Sequence, residues 1–262
     1  MTKNAKIIAV ANQKGGVAKT TTAINLAASL ALAEQQVLLV DMDPQANLTS
    51  GLGLKDRSGP GGTTYDAITS DDARHGDRIV PTMIDRLFVM PADRNLTGAE
   101  IELVSLEQRE SRLRRVLDPL RPAFDFILID SPPSLGLLTL NALVAADTVL
   151  IPLNCEYFAL EGIAELVSTI GRVRGTFNPR LDVEGVLLTM NDERTNLGQQ
   201  VGANIREHFG AQVYETDIPR NIRVREAPRH GLPVVVYDVK SRGAEAYVAL
   251  AREFLARQGS RS

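Results

Sequence analysis

Cysteine occurs once in the sequence, at Cys155, so the chain alone can form neither an intramolecular disulfide nor a thiolate-held cluster. That usage suits a reducing compartment. No apolar run approaches the roughly 18 residues that a membrane-spanning helix needs. The opening MTKNAKIIAVANQ has only a short apolar segment running straight into a glycine loop, a first strand rather than a signal peptide. Histidine is scarce, and His75, His208 and His230 are scattered and suggest no metal site. Positive charge is not in excess either: the net charge is −3, so any nucleic-acid site has to be a confined patch. What is present is 262 residues, 44% hydrophobic and 23% charged, enough to bury a full core.

Apolar runs of strand length recur at 6–11, 36–41, 86–91, 124–130, 147–153 and 183–190. Their apolarity is continuous rather than alternating, which implies burial on both faces, as in a parallel sheet. Helical patterns lie between or after them, at 20–33, 96–117, 135–146, 159–174, 197–209 and 243–258. Strands alternating with helices predict an α/β fold, a doubly wound, mostly parallel sheet flanked by helices, in one domain over 1–262. The stretch LKDRSGPGGTT (54–64) reads as a surface insertion, and the charge run LEQRESRLRR (106–115) as the solvated face of a helix with mixed-sign pairs.

The first strand runs into VANQKGGVAKTTT, Val10 to Thr22, and then a helix. Glycines between a strand and a helix N-terminus aim backbone N–H groups at an anion. The common G-x-x-x-x-G-K-[ST] spacing fails here, because Gln13 and Ala18 occupy its glycine positions. What the loop matches is K-G-G-x-x-K-T over residues 14–20. A methyl at Ala18 calls for a negative φ and some room. VLLVDMDPQAN (37–47) is an apolar strand that ends on Asp41 and Asp43, and FDFILIDSPPSLG (124–136) is another that ends on Asp130. Carboxyl ends of strands are where open α/β sheets bind ligands.

On the loop the sequence resembles the ParA/MinD family of P-loop ATPases with a deviant Walker A motif, and the two acidic segments resemble its switches I and II. The resemblance implies ATP and Mg²⁺ as cofactors. It implies that Lys19 reaches the β- and γ-phosphates, that Thr20 gives its hydroxyl to Mg²⁺, and that Gly15, Gly16, Val17, Ala18 and Thr21 cradle the phosphates. By the same resemblance Lys14 is expected to cross to the nucleotide of a second subunit, forming a homodimer on ATP binding. The resemblance likewise implies that Asp43 positions the attacking water, that Asp41 supports Mg²⁺ or the loop, and that Asp130 holds Mg²⁺. Alignment of water rather than early proton removal implies slow hydrolysis. Met190, Asp192 and Pro219 occupy places where members of the family contact adenine.

Within the family, a membrane-binding branch ends in a basic amphipathic helix, whereas AYVALAREFLARQGSRS has Tyr247, Leu250, Phe254 and Leu255 at core spacing. The iron-protein branch needs cluster cysteines that are absent. The segments 192–201, 218–234 and 237–247 resemble the chromosomal Soj type, and with only thirteen residues before Lys14 no separate N-terminal DNA-reading domain is expected. From Arg220 to Ser262 nine basic residues stand against four acidic ones. That excess predicts sequence-independent, salt-sensitive contact with double-stranded DNA through Arg194, Arg220, Arg223, Lys240 and Arg242, with Arg225 and Arg229 ranked behind them. Aromatic residues hardly interleave there, which argues against single-strand stacking. The resemblance implies a ParB-like centromere-binding partner that stimulates hydrolysis, a cytoplasmic, nucleoid-associated location without membrane binding, and segregation of chromosomes. A positioner of a plasmid or protein cargo, a P-loop metabolic ligase and a membrane-surface positioner remain as alternatives.

Overall fold

Lys6–Val10 (β1), Lys19–Leu32 (α1) and Val37–Asp41 (β2) open the fold in the computed structural model, which describes residues 4–155, 159–191 and 196–259. Two short helices follow, Asn47–Gly51 (α2) and Thr64–Thr69 (α3), then the strands Val80–Pro81 (β3) and Leu87–Met90 (β4). Leu96–Glu102 (α4) and Arg112–Leu117 (α5) lead to Phe126–Asp130 (β5). Leu137–Ala145 (α6), Thr148–Asn154 (β6), Ala159–Thr176 (α7) and Asp182–Asn191 (β7) complete the regular alternation. The chain continues through Asn196–Phe209 (α8), Ile218–Pro219 (β8), Ile222–Glu226 (α9), Val234–Tyr237 (α10) and Arg242–Gly259 (α11).

The strands form one sheet in the order β3-β4-β2-β5-β1-β6-β7-β8, parallel except for the β3–β4 edge pair. This is the doubly wound α/β architecture that the alternating runs predict. Successive strand residues point to opposite faces, and both faces are apolar and covered. Ile7, Ala9, Leu38, Val40, Ile127 and Ile129 pack under α6 and α7, while Ile8, Val10, Leu39, Leu128 and Leu150 pack under α1 and α11. In α11, Tyr247, Leu250 and Phe254 are fully buried, the packed final helix that their spacing calls for. Phe254 meets Phe126 edge-to-face at 5.2 Å. Cys155 is half-buried, and burial pushes its thiol up to about 11, which keeps it inert as a nucleophile.

Two expectations change. The helix predicted over 96–117 is broken: α4 stops at Glu102, a 3₁₀ turn covers Leu103–Ser105, and α5 begins at Arg112. Buried Asn141 on α6 sets the break, because its Oδ1 accepts from Leu113 N and its Nδ2 donates to Arg109 O. Nor is the 106–115 run simply a solvated face. Arg112 is only 6% exposed and donates to the Ile68 and Ser70 carbonyls and to Asp71, closing the C-terminal end of α3. The 54–64 stretch is a packed turn: Gly61 N donates to Asp77 O, and a Cβ on Gly59 would lie 2.0 Å from that same oxygen. Its last residues begin α3, where Thr63 and Asp66 form a reciprocal capping box.

Candidate nucleotide site and basic face

β1, β2 and β5 are central and adjacent, so their carboxyl ends bring the glycine loop, Asp41, Asp43 and Asp130 to one crevice. The loop is held from three sides. Buried Asn12 donates to Pro152 O on β6 and accepts from Lys14 N, Val17 is fully buried, and Thr189 of β7 donates its hydroxyl to Val17 O at 3.1 Å. A Cβ built on Gly15 or Gly16 meets nothing within 4 Å. The protein itself therefore leaves the inner side of the loop open, in front of a helix with no acidic residue in its first turn. An anion fits that geometry.

Ala18 overturns the expected negative φ. It sits at φ 65, ψ 32, left-handed like Gly16 at φ 75, and its carbonyl accepts the first helical bond from Thr22 N. Turning the loop into α1 requires that conformation. An alanine holds it at a strain of about 1 kcal/mol, where glycine would have none.

Lys19 is 7% exposed, and its Nζ donates to Lys14 O at 3.1 Å. Burial lowers its pKa, against the pull of the Asp130 and Asp43 carboxylates. Lys14 itself is half-buried on the entry side of the loop.

The three carboxylates have different surroundings. Asp41 is fully buried and braced by switch I: Oδ2 accepts from Thr49 N and Oγ1, and Oδ1 from Asp43 N. Burial pushes its pKa up to about 6 in spite of those bonds. Of the two roles expected for Asp41, metal or loop support, its contacts fit the loop. Asp43 follows at the crevice, with Oδ1 accepting from Gln45 N. Asp130 lies beside Asp41 in strand register, fully buried, and neither of its oxygens has a hydrogen-bond partner among the described residues. Burial, with Asp41 and Asp43 adding to it, drives its pKa well above the carboxylate range, while the nearby Thr20 hydroxyl and Lys19 ammonium pull it down. A buried carboxylate with both oxygens unsatisfied beside a hydroxyl suits a divalent cation, the hard-oxygen chemistry of Mg²⁺.

The residues expected to face a base lie at β7 and β8, where Asn191 pairs with Pro219 in register and half-buried Met190 takes φ 50. Thr189, one residue before Met190, touches the phosphate loop, so the two ends of the site are contiguous. Asp192 and Arg194 lie outside the described residues. Asn191, which the motif reading passes over, donates its Nδ2 to Asp217 and keeps a buried Oδ1 without a partner among the described residues. Asn12, Thr49 and Thr189 are missed too; each acts through a tertiary contact rather than a motif.

The basic face follows β8. Arg220, Arg225, Arg229, Lys240 and Arg242 are exposed, with no acidic partner among the described residues. Arg223 differs, pairing with Glu226 at 3.0 Å and Asp238 at 3.3 Å. Arg257 turns inward to Glu253 and over the Tyr214 ring.

A strand–glycine loop–helix unit with two lysines, facing two acidic strand ends, defines a P-loop ATPase of the deviant Walker A class. Comparisons agree: the family profile described as an AAA domain matches residues 5–183. Chromosome partitioning protein ParA of Myxococcus xanthus is 54% identical over 98% of this chain and 90% of its own length. Sporulation initiation inhibitor protein Soj of Bacillus subtilis is 53% identical over 96% of this chain and 98% of its own. The crystal structure of cobyrinic acid a,c-diamide synthase from Mycobacterium smegmatis with bound ADP and magnesium superposes with a TM-score of 0.85 at 36% identity, covering 98% of this chain and 97% of that one. The chain belongs to the ParA/Soj family. It is an ATPase that uses ATP and Mg²⁺.

Proposed function

We propose that the chain is a DNA-partition switch in which ATP controls DNA contact by controlling dimerisation. The observation that carries this reading is that one chain combines a two-lysine phosphate loop, its Lys19 buried and its Lys14 half-buried, with an exposed face of cations that have no acidic partner among the described residues. Lys19 and the amides of the loop hold the phosphates of the chain's own nucleotide. Thr20 and Asp130 would hold Mg²⁺, which when bound neutralises phosphate charge and orders the triphosphate. Asp43 aligns the attacking water, with Asp41 bracing the segment that carries it. Met190, Pro219 and the free Oδ1 of Asn191 frame the adenine. Lys14 reaches the nucleotide of a second copy, so the homodimer forms only around ATP.

The dimer doubles the basic face, and two weak phosphate-contacting patches on one particle bind far more tightly than one by effective concentration. A ParB-like partner stimulates hydrolysis and releases the dimer from double-stranded DNA, and repeated release and rebinding on the nucleoid moves replicated chromosomes. Among the described residues no helix is long and apolar enough to cross a membrane. The likeness to the mycobacterial synthase supplies a second reading, a metabolic ligase acting on a small acid. The higher identity to the Myxococcus and Bacillus partition relatives, together with the basic face, favours the first.

Fluorescence anisotropy of non-specific duplex under ATP, ADP and no nucleotide, with a salt titration, separates the two readings. Binding confined to ATP that falls steeply with salt supports the switch. Indifference of DNA binding to nucleotide, with turnover raised by a small carboxylic acid, would establish the ligase.

A further inference from the structure

A polar cleft of about 700 Å³ opens beside switch I, away from the phosphate loop. Its cationic lining is Lys55, Arg57 and Arg94, all exposed and without an acidic partner among the described residues. Two carboxylates also line it. Asp93 is occupied in holding the amide and side chain of Asn95, and Asp56 sits exposed at φ 60. Most arginines elsewhere in the first half of the chain pair with an acid or a carbonyl, including Arg74, Arg78, Arg86, Arg109 and Arg112. Cations left unpaired around one cleft are therefore a local departure, and one that favours an anion.

The cleft adjoins the basic face. Gly53 and Gly231 pack so closely that a Cβ on Gly231 would lie 2.7 Å from the Gly53 Cα, and Gly51 meets Pro228. Lys55 and Arg229 are each two residues from that glycine contact. The cations of the cleft and those that follow β8 thus lie on neighbouring turns. The cleft also touches the switch. Thr49, which braces Asp41, lines the cleft and accepts the amide of Leu54, the residue before Lys55. Gln45, whose amide is held by Asp43, lines it as well.

We propose that this cleft is a second phosphate-binding site that takes backbone phosphates of the same duplex, extending the DNA track from the C-terminal basic face to the edge of switch I. The inference rests on the DNA-binding reading above and adds to it three residues and a location. Because Leu54 and Gln45 are tied to the Asp41 and Asp43 segment, a phosphate held here bears directly on the switch.

The test uses the full chain with ATP and non-specific duplex. The Lys55→Ala/Arg57→Ala/Arg94→Ala variant should bind at least about tenfold more weakly at 0.1 M salt, with the log–log salt slope reduced by about 2 to 3, since each lost phosphate contact removes close to one unit. Its ATP-dependent dimerisation should be unchanged, and that readout also shows that it folds. In the wild-type protein, acetylation of Lys55 should fall on adding duplex, as should that of Lys240. An unchanged isotherm and slope in the triple variant, with Lys240→Ala/Arg242→Ala still weakened, would overturn the cleft and leave the DNA reading standing. Absence of ATP-dependent DNA binding by the wild type would overturn both. Protection of Lys55 by pyrophosphate but not by duplex would reassign the cleft to a free phosphate and overturn its place on the DNA track.

Discussion

The phosphate loop and the basic face, the two phosphate-contacting regions of the proposed switch, are built by opposite means. Around the loop the groups that frame it are buried and held: Asn12 ties it to β6, Thr189 ties it to β7, and Asp41 and Lys19 each have named partners. On the basic face Arg220, Arg225, Arg229, Lys240 and Arg242 stand in solvent with no acidic partner among the described residues. A buried, preorganised site can place charge against a particular oxygen, which chemistry on a triphosphate demands. Exposed, mobile cations read only charge density, which binding to any sequence demands. Substitutions should consequently act steeply and specifically at the loop, and shallowly and additively on the face.

The steepest effect belongs to Lys19→Ala. Removing a charge-assisted contact in a buried site costs about 2 to 5 kcal/mol, so ATP affinity by calorimetry should fall at least about thirtyfold, with ATP-dependent DNA binding lost alongside it. Thr49→Val comes next. It removes the hydroxyl that Asp41 and Ala92 share and leaves buried groups short of a partner, a loss of about 1 to 3 kcal/mol in urea unfolding. Retained stability would show that switch I is held less tightly than its contacts imply.

Acidity gives a third test. Asp41 has a native pKa near 6, above its ordinary value of 3.8, so its ionised form is disfavoured by folding. The native state binds the proton more tightly than the unfolded chain, and stability of the metal-free protein gains from this group as pH falls through 6. The gain should be about 1 kcal/mol between pH 7 and pH 5, and Asp41→Asn should flatten the Tm-against-pH curve in EDTA over that range. The smallest expected change is on the face. Arg225→Ala or Arg229→Ala should shift stability by no more than about 0.5 kcal/mol, while lowering the salt slope of DNA binding by about one. A large stability loss there would erase the contrast between the two regions.

The same contrast governs what the sequence discloses. The K-G-G-x-x-K-T loop and the apolar strands ending in Asp41 and Asp130 are short contiguous patterns, and the fold brings them together at the carboxyl edge of the sheet. Groups joined across the sheet leave no local pattern. Asn12 meets Pro152, Thr189 meets Val17, and Asn141 breaks a helix about thirty residues away in the chain. Ala18 misleads for a related reason: its side chain suggests a negative φ, but the loop's path around an anion demands the left-handed one. Arg223 looks like any other arginine of the patch until Glu226 and Asp238 are seen beside it.

The most direct test of the central claim, that Lys14 of one copy serves the nucleotide of another, is sedimentation velocity with ATP on the Asp43→Ala protein, in which the account expects hydrolysis to be blocked, with and without Lys14→Ala. The account predicts a dimer in the first and a monomer that still binds ATP in the second. A dimer that persists without Lys14, or no ATP-dependent dimer at all, would contradict it.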